Sequence, residues 1–352
     1  MTVRIESSSP TQPRLEHMAL WVEDIDRSAA FLERALGWRR HPLVFGVDET
    51  DTIYGGMLLA FVDANGFWIE LVQPTTEGPG MEFLRQKGDG SLVELDFEVT
   101  DFDASCALMK SRGITLMGMD GNPLQQGGLL REWFLDEHGE RQRGDELLSY
   151  LPADVAQGTS IELFWEYPTG VVIRRDRTWT DDQRTPRDAP RFDHTVVLAG
   201  DFEATLSVYT DILNLPHQAA APGLERGWMG MKNGPHGWIR ANERGNWISI
   251  VGADAHGGGR QLLEDSRLGP GAIVEIAAEV ADSDAFSRRM AAAGITMTAG
   301  DDTPLDAGAT SVCVDGSGDR YAYFSREASE GMRILVFQRG TDARSVFAAR
   351  DR

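Results

Sequence analysis

The chain repeats itself, and the repeat limits what it can fold into. His17 heads the segment HMALWV and His194 heads HTVVL, 177 positions later. Gly37 and Asn214 are also 177 positions apart, and both residue types close helices in the left-handed conformation. A second pair, Val93–Val99 (VELDFEV) and Val274–Val280 (VEIAAEV), repeats at an offset of 181. Later segments match as well: Gly66–Leu71 (GFWIEL) with Gly245–Ile250 (GNWISI), and Phe134–Gly139 (FLDEHG) with Cys313–Gly318 (CVDGSG). Repeats of this kind specify supersecondary units that stack on one another.

Each unit predicts a strand, a helix and then three strands. The first strands are rich in β-branched and aromatic residues. Acidic residues follow them where a helix cap belongs: Asp24, Asp101, Asp201 and Asp282. In the first unit Ile25, Ala29, Leu32 and Leu36 recur at helical spacing. The later strands are divided by turns such as Asp63–Gly66 (DANG). The expected fold is therefore α+β, with four βαβββ modules in two tandem halves. The expected limits are a loose arm over 1–13, a first domain over 14–165, a charged linker over 166–190, a second domain over 191–340 and a tail over 341–352.

Composition narrows the function. A formal net charge of −21 argues against nucleic acid or an anionic membrane as partner. No apolar run is long enough to cross a bilayer, and residues 1–13 lack the apolar stretch of a signal peptide. Two cysteines, Cys106 and Cys313, imply neither a disulfide framework nor a cysteine metal site. A cytoplasmic enzyme or binding protein fits these bounds, as a monomer or a homodimer.

Two strands carry a carboxylate amid apolar neighbours: Glu70 in WIEL and Glu162 in SIEL. A buried acid needs a partner charge or a metal. The strands that open the same two modules carry His17 and Glu94 at equivalent heads, five residues before Val22 and Val99. The blander readings are that Glu70 and Glu162 guard an edge strand, and that Glu94, with Asp96 and Glu98, forms a wet strand face.

These features resemble the vicinal oxygen chelate superfamily, which includes glyoxalase I, extradiol dioxygenases and methylmalonyl-CoA epimerase. The likeness spans the chain and is closest in the first half. There Ile69–Pro74 (IELVQP), Met81–Gly90 (MEFLRQKGDG) and Leu151–Leu163 (LPADVAQGTSIEL) are similar to the epimerases. The resemblance implies four metal-ligand positions, here His17, Glu70, Glu94 and Glu162, holding one divalent ion such as Zn²⁺, Mn²⁺ or Co²⁺. The third position is commonly histidine in the family, so Glu94 departs from the pattern and is ligand, acid/base or outward-facing. The second half offers His194, Ser249, Glu275 and Leu335 at the same positions, which makes it a degenerate copy.

The implied chemistry is proton transfer next to a carbonyl, with the metal stabilising the enediolate. Glu162 and Glu94 are the acid/base candidates; Glu49 and Tyr54 lie near the position of the family's second base, and His138 is a weaker choice. The leading expectation is an epimerase or isomerase of a small-molecule ketone, such as a cyclitol ketone resembling 2-epi-5-epi-valiolone. The alternatives are a glyoxalase-type lyase, an extradiol-type dioxygenase, and a non-catalytic protein that binds or sequesters small molecules.

Overall fold

The structure is a computed structural model. It describes residues 12–49, 52–119, 121–124, 128–136, 138–167, 171–219, 235–252, 269–299, 305, 311–313, 318–341, 345, 347 and 350. Most of the expected arm over 1–13 lies outside these residues, as does Asp51.

Among the described residues, two nine-stranded sheets carry the fold. The first module runs β1 (Arg14–Trp21), α1 (Ile25–Leu36), β2 (Arg39–Arg40), β3 (Phe45–Val47), β4 (Met57–Asp63) and β5 (Trp68–Pro74). After α2 (Pro79–Lys87), the second runs β6 (Ser91–Glu98), α3 (Phe102–Ser111), β7 (Gly128–Leu135), β8 (Arg141–Tyr150) and β9 (Ser160–Glu166). A connecting helix, α4 (Val171–Thr178), leads to the second half. Its third module holds β10 (Arg191–Ala199), α5 (Phe202–Ser207) continuing as a π-turn, β11 (His217–Ala219), β12 (His236–Arg240) and β13 (Trp247–Gly252). Its fourth holds β14 (Ala272–Glu279), α6 (Ser283–Ala292), β15 (Met297–Thr298), β16 (Val312–Cys313), β17 (Arg320–Phe324) and β18 (Ile334–Gln338).

The caps form as the sequence predicts. Asp24, Asp101, Asp201 and Asp282 each accept a backbone N–H in the first turn of their helix. Gly37 and Asn214 both take positive φ.

The first sheet closes on itself. Its order is β2-β4-β3-β7-β8-β9-β6-β1-β5, and β4 also pairs β5. Alternation along each strand then divides its side chains between the inside and outside of a barrel. On β5, Ile69 and Leu71 join the large apolar core outside the ring, whereas Trp68 and Val72 join the cluster within it. Glu70 therefore points inward. On β9, Ile161 and Leu163 face out and Phe164 faces in, which turns Glu162 inward too.

The outer core is continuous across both halves. Phe31 of α1 meets Phe324 of β17 edge-on at 5.4 Å, and Phe67 stacks on Phe192 at 4.1 Å. The segment 166–190 does more than its charged composition predicts. The Arg175 side chain on α4 is fully buried, and Trp179 joins the core inside the first ring. At the far end, Phe347 and Arg350 are buried against the second half.

Candidate metal centre and its cavity

Strand register places the four expected ligand positions. In the parallel pair β1/β5, His17 faces Trp68 and Ala19 faces Glu70. In the parallel pair β6/β9, Glu94 faces Ser160 and Asp96 faces Glu162. Glu94 thus stands where His17 stands, and Glu162 where Glu70 stands. The second half keeps the register. His194 faces Trp247 and Val196 faces Ser249, while Ala277 faces Leu335.

A bulge shapes the head of β1. Neighbouring residues of a regular strand point to opposite faces, yet His17 Nδ1 lies 2.7 Å from Glu16 Oε2. The β1/β6 register shifts between Leu15 and His17, which lets both side chains bury together. Glu16 in turn accepts a hydrogen bond from Arg175 Nη2 at 2.6 Å. The guanidinium lies over the rings of Trp68 and Phe61, 4.3 and 4.7 Å from their centroids. The imidazole itself sits between Phe61 and Phe164. This Arg–Glu–His chain fixes the ring and leaves Nε2 aimed into the barrel.

Around Nε2 the acids converge. Asp96 Oδ2 is 3.4 Å away and Glu70 Oε2 is 3.7 Å away. Ligand atoms of His17, Glu70 and Asp96 lie within 4.8 Å of one another, as do those of Glu94, Asp96 and Glu162. Asp96, only 1% exposed, joins the two groups, and its Oδ2 has no hydrogen-bond partner. Tyr150 donates to Glu162 Oε2 at 2.6 Å, and Ser160 donates to Glu94 Oε2 at 3.4 Å.

Electrostatics follow from this crowding. Burial pulls the His17 pKa down, but the hydrogen bond and charge of Glu16, then the charge of Glu70, bring it above its usual value. Burial also opposes ionisation of Glu16, yet Arg175 and His17 hold that carboxyl well below the usual range. Burial first, and then Glu70, push Glu94 up to about 7. Burial and neighbouring carboxylates likewise raise Asp96 and Glu162 well above ordinary acids. A divalent cation removes that conflict.

These residues line a cavity of about 290 Å³, with Tyr54, Tyr150, Glu132, Glu146 and Lys87 also on its walls. Gly271, Ala272 and Ile273, from the start of the second half's β14 region, form part of the lining. Thr159 donates to the Gly271 carbonyl at 2.8 Å and ties that wall in place.

The other expected candidates divide. Tyr54 lines the cavity against Trp21, and burial, then the Glu94 charge, raises its pKa. Glu49 stands apart. Strand β3 ends at Val47, and Glu49 is left on an exposed turn away from the cavity. His138 is exposed on the β7–β8 turn.

The second half repeats the supports without the centre. His194 Nδ1 lies 2.7 Å from Asp193, which accepts hydrogen bonds from Arg350. Arg350 lies over Trp238 and Trp247. The rest has become hydrogen-bonded core. Ser249 Oγ shares a 2.7 Å hydrogen bond with His236, and Tyr323 donates to Glu275 at 2.8 Å. Leu335, where the first half has Glu162, is fully buried.

Sequence reasoning passed over Asp96, Tyr150, Glu16 and Arg175 as parts of the site. Signals existed for two of them. The acid–histidine pairs Glu16–His17 and Asp193–His194 repeat at the same offset, and Tyr150 and Tyr323 precede Leu151 and Phe324 at matched points of the last hairpins.

Comparison with known proteins agrees with the fold. Profiles of the glyoxalase/bleomycin resistance protein/dioxygenase superfamily match residues 16–129 and 191–320. Sequence search of curated proteins finds no match. Among solved structures, a triple mutant of 4-hydroxymandelate synthase from Streptomyces coelicolor superposes with a TM-score of 0.59 at 14% identity, covering 96% of each chain. A hypothetical protein from Staphylococcus aureus gives 0.54 at 7% identity, over 93% of this chain and 99% of that one. A fusion of a xylose isomerase-like TIM barrel with 4-hydroxyphenylpyruvate dioxygenase gives 0.53 at 14% identity, over 97% of this chain and 52% of that one. The two matched segments, one in each half, show that the chain belongs to the glyoxalase/bleomycin resistance protein/dioxygenase superfamily.

Proposed function

We propose that the chain is a metal-dependent epimerase or isomerase that moves a proton on the carbon next to a carbonyl, with a polyhydroxylated cyclic ketone as substrate. The observation that carries this reading is the donor set. His17 is the one histidine lining the cavity among the described residues, and it stands among Glu70, Glu94, Asp96 and Glu162.

The residues fit a divalent ion. Asp96 Oδ2 is buried with no hydrogen bond, 3.4 Å from His17 Nε2, and the His17 ring is fixed by Glu16 in the way a ligating imidazole is held. His17, Glu70 and Asp96 would hold the ion, with Glu94 and Glu162 within reach through Asp96. One imidazole among carboxylates suits Mn²⁺, Zn²⁺ or Co²⁺, whereas non-haem iron oxygenases use two histidines and one carboxylate. When bound, the ion supplies Lewis-acid stabilisation of negative charge on the substrate oxygens.

The chain's own residues handle the proton. Epimerisation needs one group to take the proton and another to return it. Glu162 accepts the Tyr150 hydroxyl hydrogen bond, so the pair can share a proton across 2.6 Å. Glu94, on the paired strand β6 and lining the same cavity, is the second group placed to give or take a proton. The wall of carboxylates repels anionic substrates and accepts hydrogen bonds from hydroxyl groups. The apolar wall of Trp21, Val47, Leu59 and Phe83 excludes water from the reacting carbon.

The test is deuterium exchange. Mn²⁺-loaded protein in D₂O, offered polyhydroxy ketones, should incorporate deuterium next to the carbonyl, and chelator should stop it. No uptake from any ketone of the panel by metal-loaded protein would refute the proposal. Ligand binding without exchange, unaffected by chelator, would instead favour a sequestering protein.

A further inference from the structure

A second group of acids lies in the same barrel. Glu132 on β7, Glu146 on β8 and Glu166 on β9 bring ligand oxygens within 4.8 Å of one another. Each is at least nine-tenths buried, at 7%, 7% and 6% exposure. Register explains the meeting, because Glu146 faces Glu166 across β8/β9, and Glu132 lies diagonally from Glu146 across β7/β8. None of the three belongs to the four ligand positions implied by the repeat.

An independent observation points to a ligand. Glu132 brings one carboxylate oxygen into this group, and its Oε2 is shielded from solvent and accepts no hydrogen bond. A buried carboxylate oxygen is stable only with a donor or a cation. Two neutral acids sharing a proton would be joined by a hydrogen bond, and none joins Glu132 to Glu146. Both of these side chains also line the cavity that holds His17.

We propose that Glu132, Glu146 and Glu166 hold a second divalent cation inside the barrel, facing the same cavity as the His17 centre. The donors are all carboxylate oxygens, so the site favours hard ions such as Mg²⁺, Mn²⁺ or Ca²⁺. The imidazole centre has a broader choice. Carboxylates from three adjacent strands are held by the sheet, so the group needs little rearrangement to bind. The proposal deepens the ketone reading, since a second cation on this wall offers another anchor for substrate oxygens. It can be tested without turnover.

The experiment counts ions. Metal-free full-length protein is titrated with Mn²⁺, and free Mn²⁺ is followed by its EPR signal. Wild type should bind two ions per chain. E132Q/E146Q should bind one fewer, while E70Q/D96N should lose the other ion and keep this one. If E132Q/E146Q binds as many ions as wild type, the second site does not exist. Loss in that variant with no loss in E70Q/D96N would leave this site standing and remove the His17 centre. Should the double variant fail to fold, E146Q alone should weaken the second binding event at least tenfold, and an unchanged isotherm would overturn the proposal.

Discussion

The Arg175 guanidinium and the Glu16 carboxylate form a buried ion pair at 2.6 Å between residues 159 positions apart. Arg175 belongs to the connection between the halves, and Glu16 orients the imidazole of His17. The segment that joins the two domains therefore reaches the candidate metal centre through one hydrogen-bonded chain. R175M should leave Glu16 buried without its charge partner, at a cost of about 3–5 kcal/mol of folding stability. It should also weaken Mn²⁺ binding by roughly 10- to 100-fold, as loss of a partner behind a ligating histidine does. Melting curves and Mn²⁺ titration check both. Unchanged Mn²⁺ affinity in a folded variant would show that the chain does not support the ligand.

Tyr150 and Glu162 are expected to act as a unit. Y150F removes one hydroxyl from a cavity wall and leaves every carboxylate in place. Deuterium exchange should fall by about 10²-fold or more, in the range for loss of a positioned proton carrier. Bound Mn²⁺ should stay the same. The pH dependence of exchange should also move, because the Glu162 carboxyl loses its donor. Equal rates and an equal pH profile in Y150F would exclude the pair from proton transfer.

Two buried histidines set an acid limit on stability. Burial and then the Arg175 charge depress His41 to about 4, and burial and then His194 depress His236 to about 3. The unfolded chain takes up a proton on each near its ordinary value of 6.5, whereas the folded chain resists. Stability from these groups is therefore complete above 6.5 and declines as the pH falls toward 4. For His41 the full loss is on the order of 3 kcal/mol. Raised carboxylates act in the opposite sense, so the useful quantity is the difference between wild type and H41N. The melting-temperature advantage of wild type over H41N should shrink from pH 7 to pH 4. A constant difference would mean that His41 is not held neutral.

Gly271 sits at the junction between the halves with φ of +80°, where a side chain is strained. A Cβ there would run into the Gln157 carbonyl and the Thr159 backbone. G271A should cost more than about 1 kcal/mol. It should also displace the cavity wall, so that exchange slows while Mn²⁺ stoichiometry holds. A variant with wild-type melting and exchange would show that the wall is not needed.

The repeat made much of this legible, and the limits are physical. Glu70 and Glu162 were readable because each interrupts an apolar alternation at matched places. Asp96 was not, because alternating acids on one strand have the pattern of a solvated face. Only closure of the ring turns that face inward. Glu132 and Glu146 were hidden in the same way by charged neighbours such as Arg131 and Asp145. Arg175 lies in an arginine-rich stretch with no core spacing, and its burial depends on the aromatic faces of Trp68 and Phe61. Glu49 is near the site in sequence, but β3 ends two residues earlier and turns it to solvent.

The closed ring of the first half has a consequence for association. An open sheet offers unpaired N–H and C=O groups to any extended chain. Here β4 pairs with β5, so the main path returns to its beginning and each long strand has a strand neighbour on both sides for at least part of its length. Among the described pairings, growth of this sheet by adding a strand is confined to short stretches such as Gly128–Arg131 of β7 and Arg141–Gly144 of β8. Over most of its length the barrel's backbone therefore has no hydrogen bonds to offer a second copy of this chain.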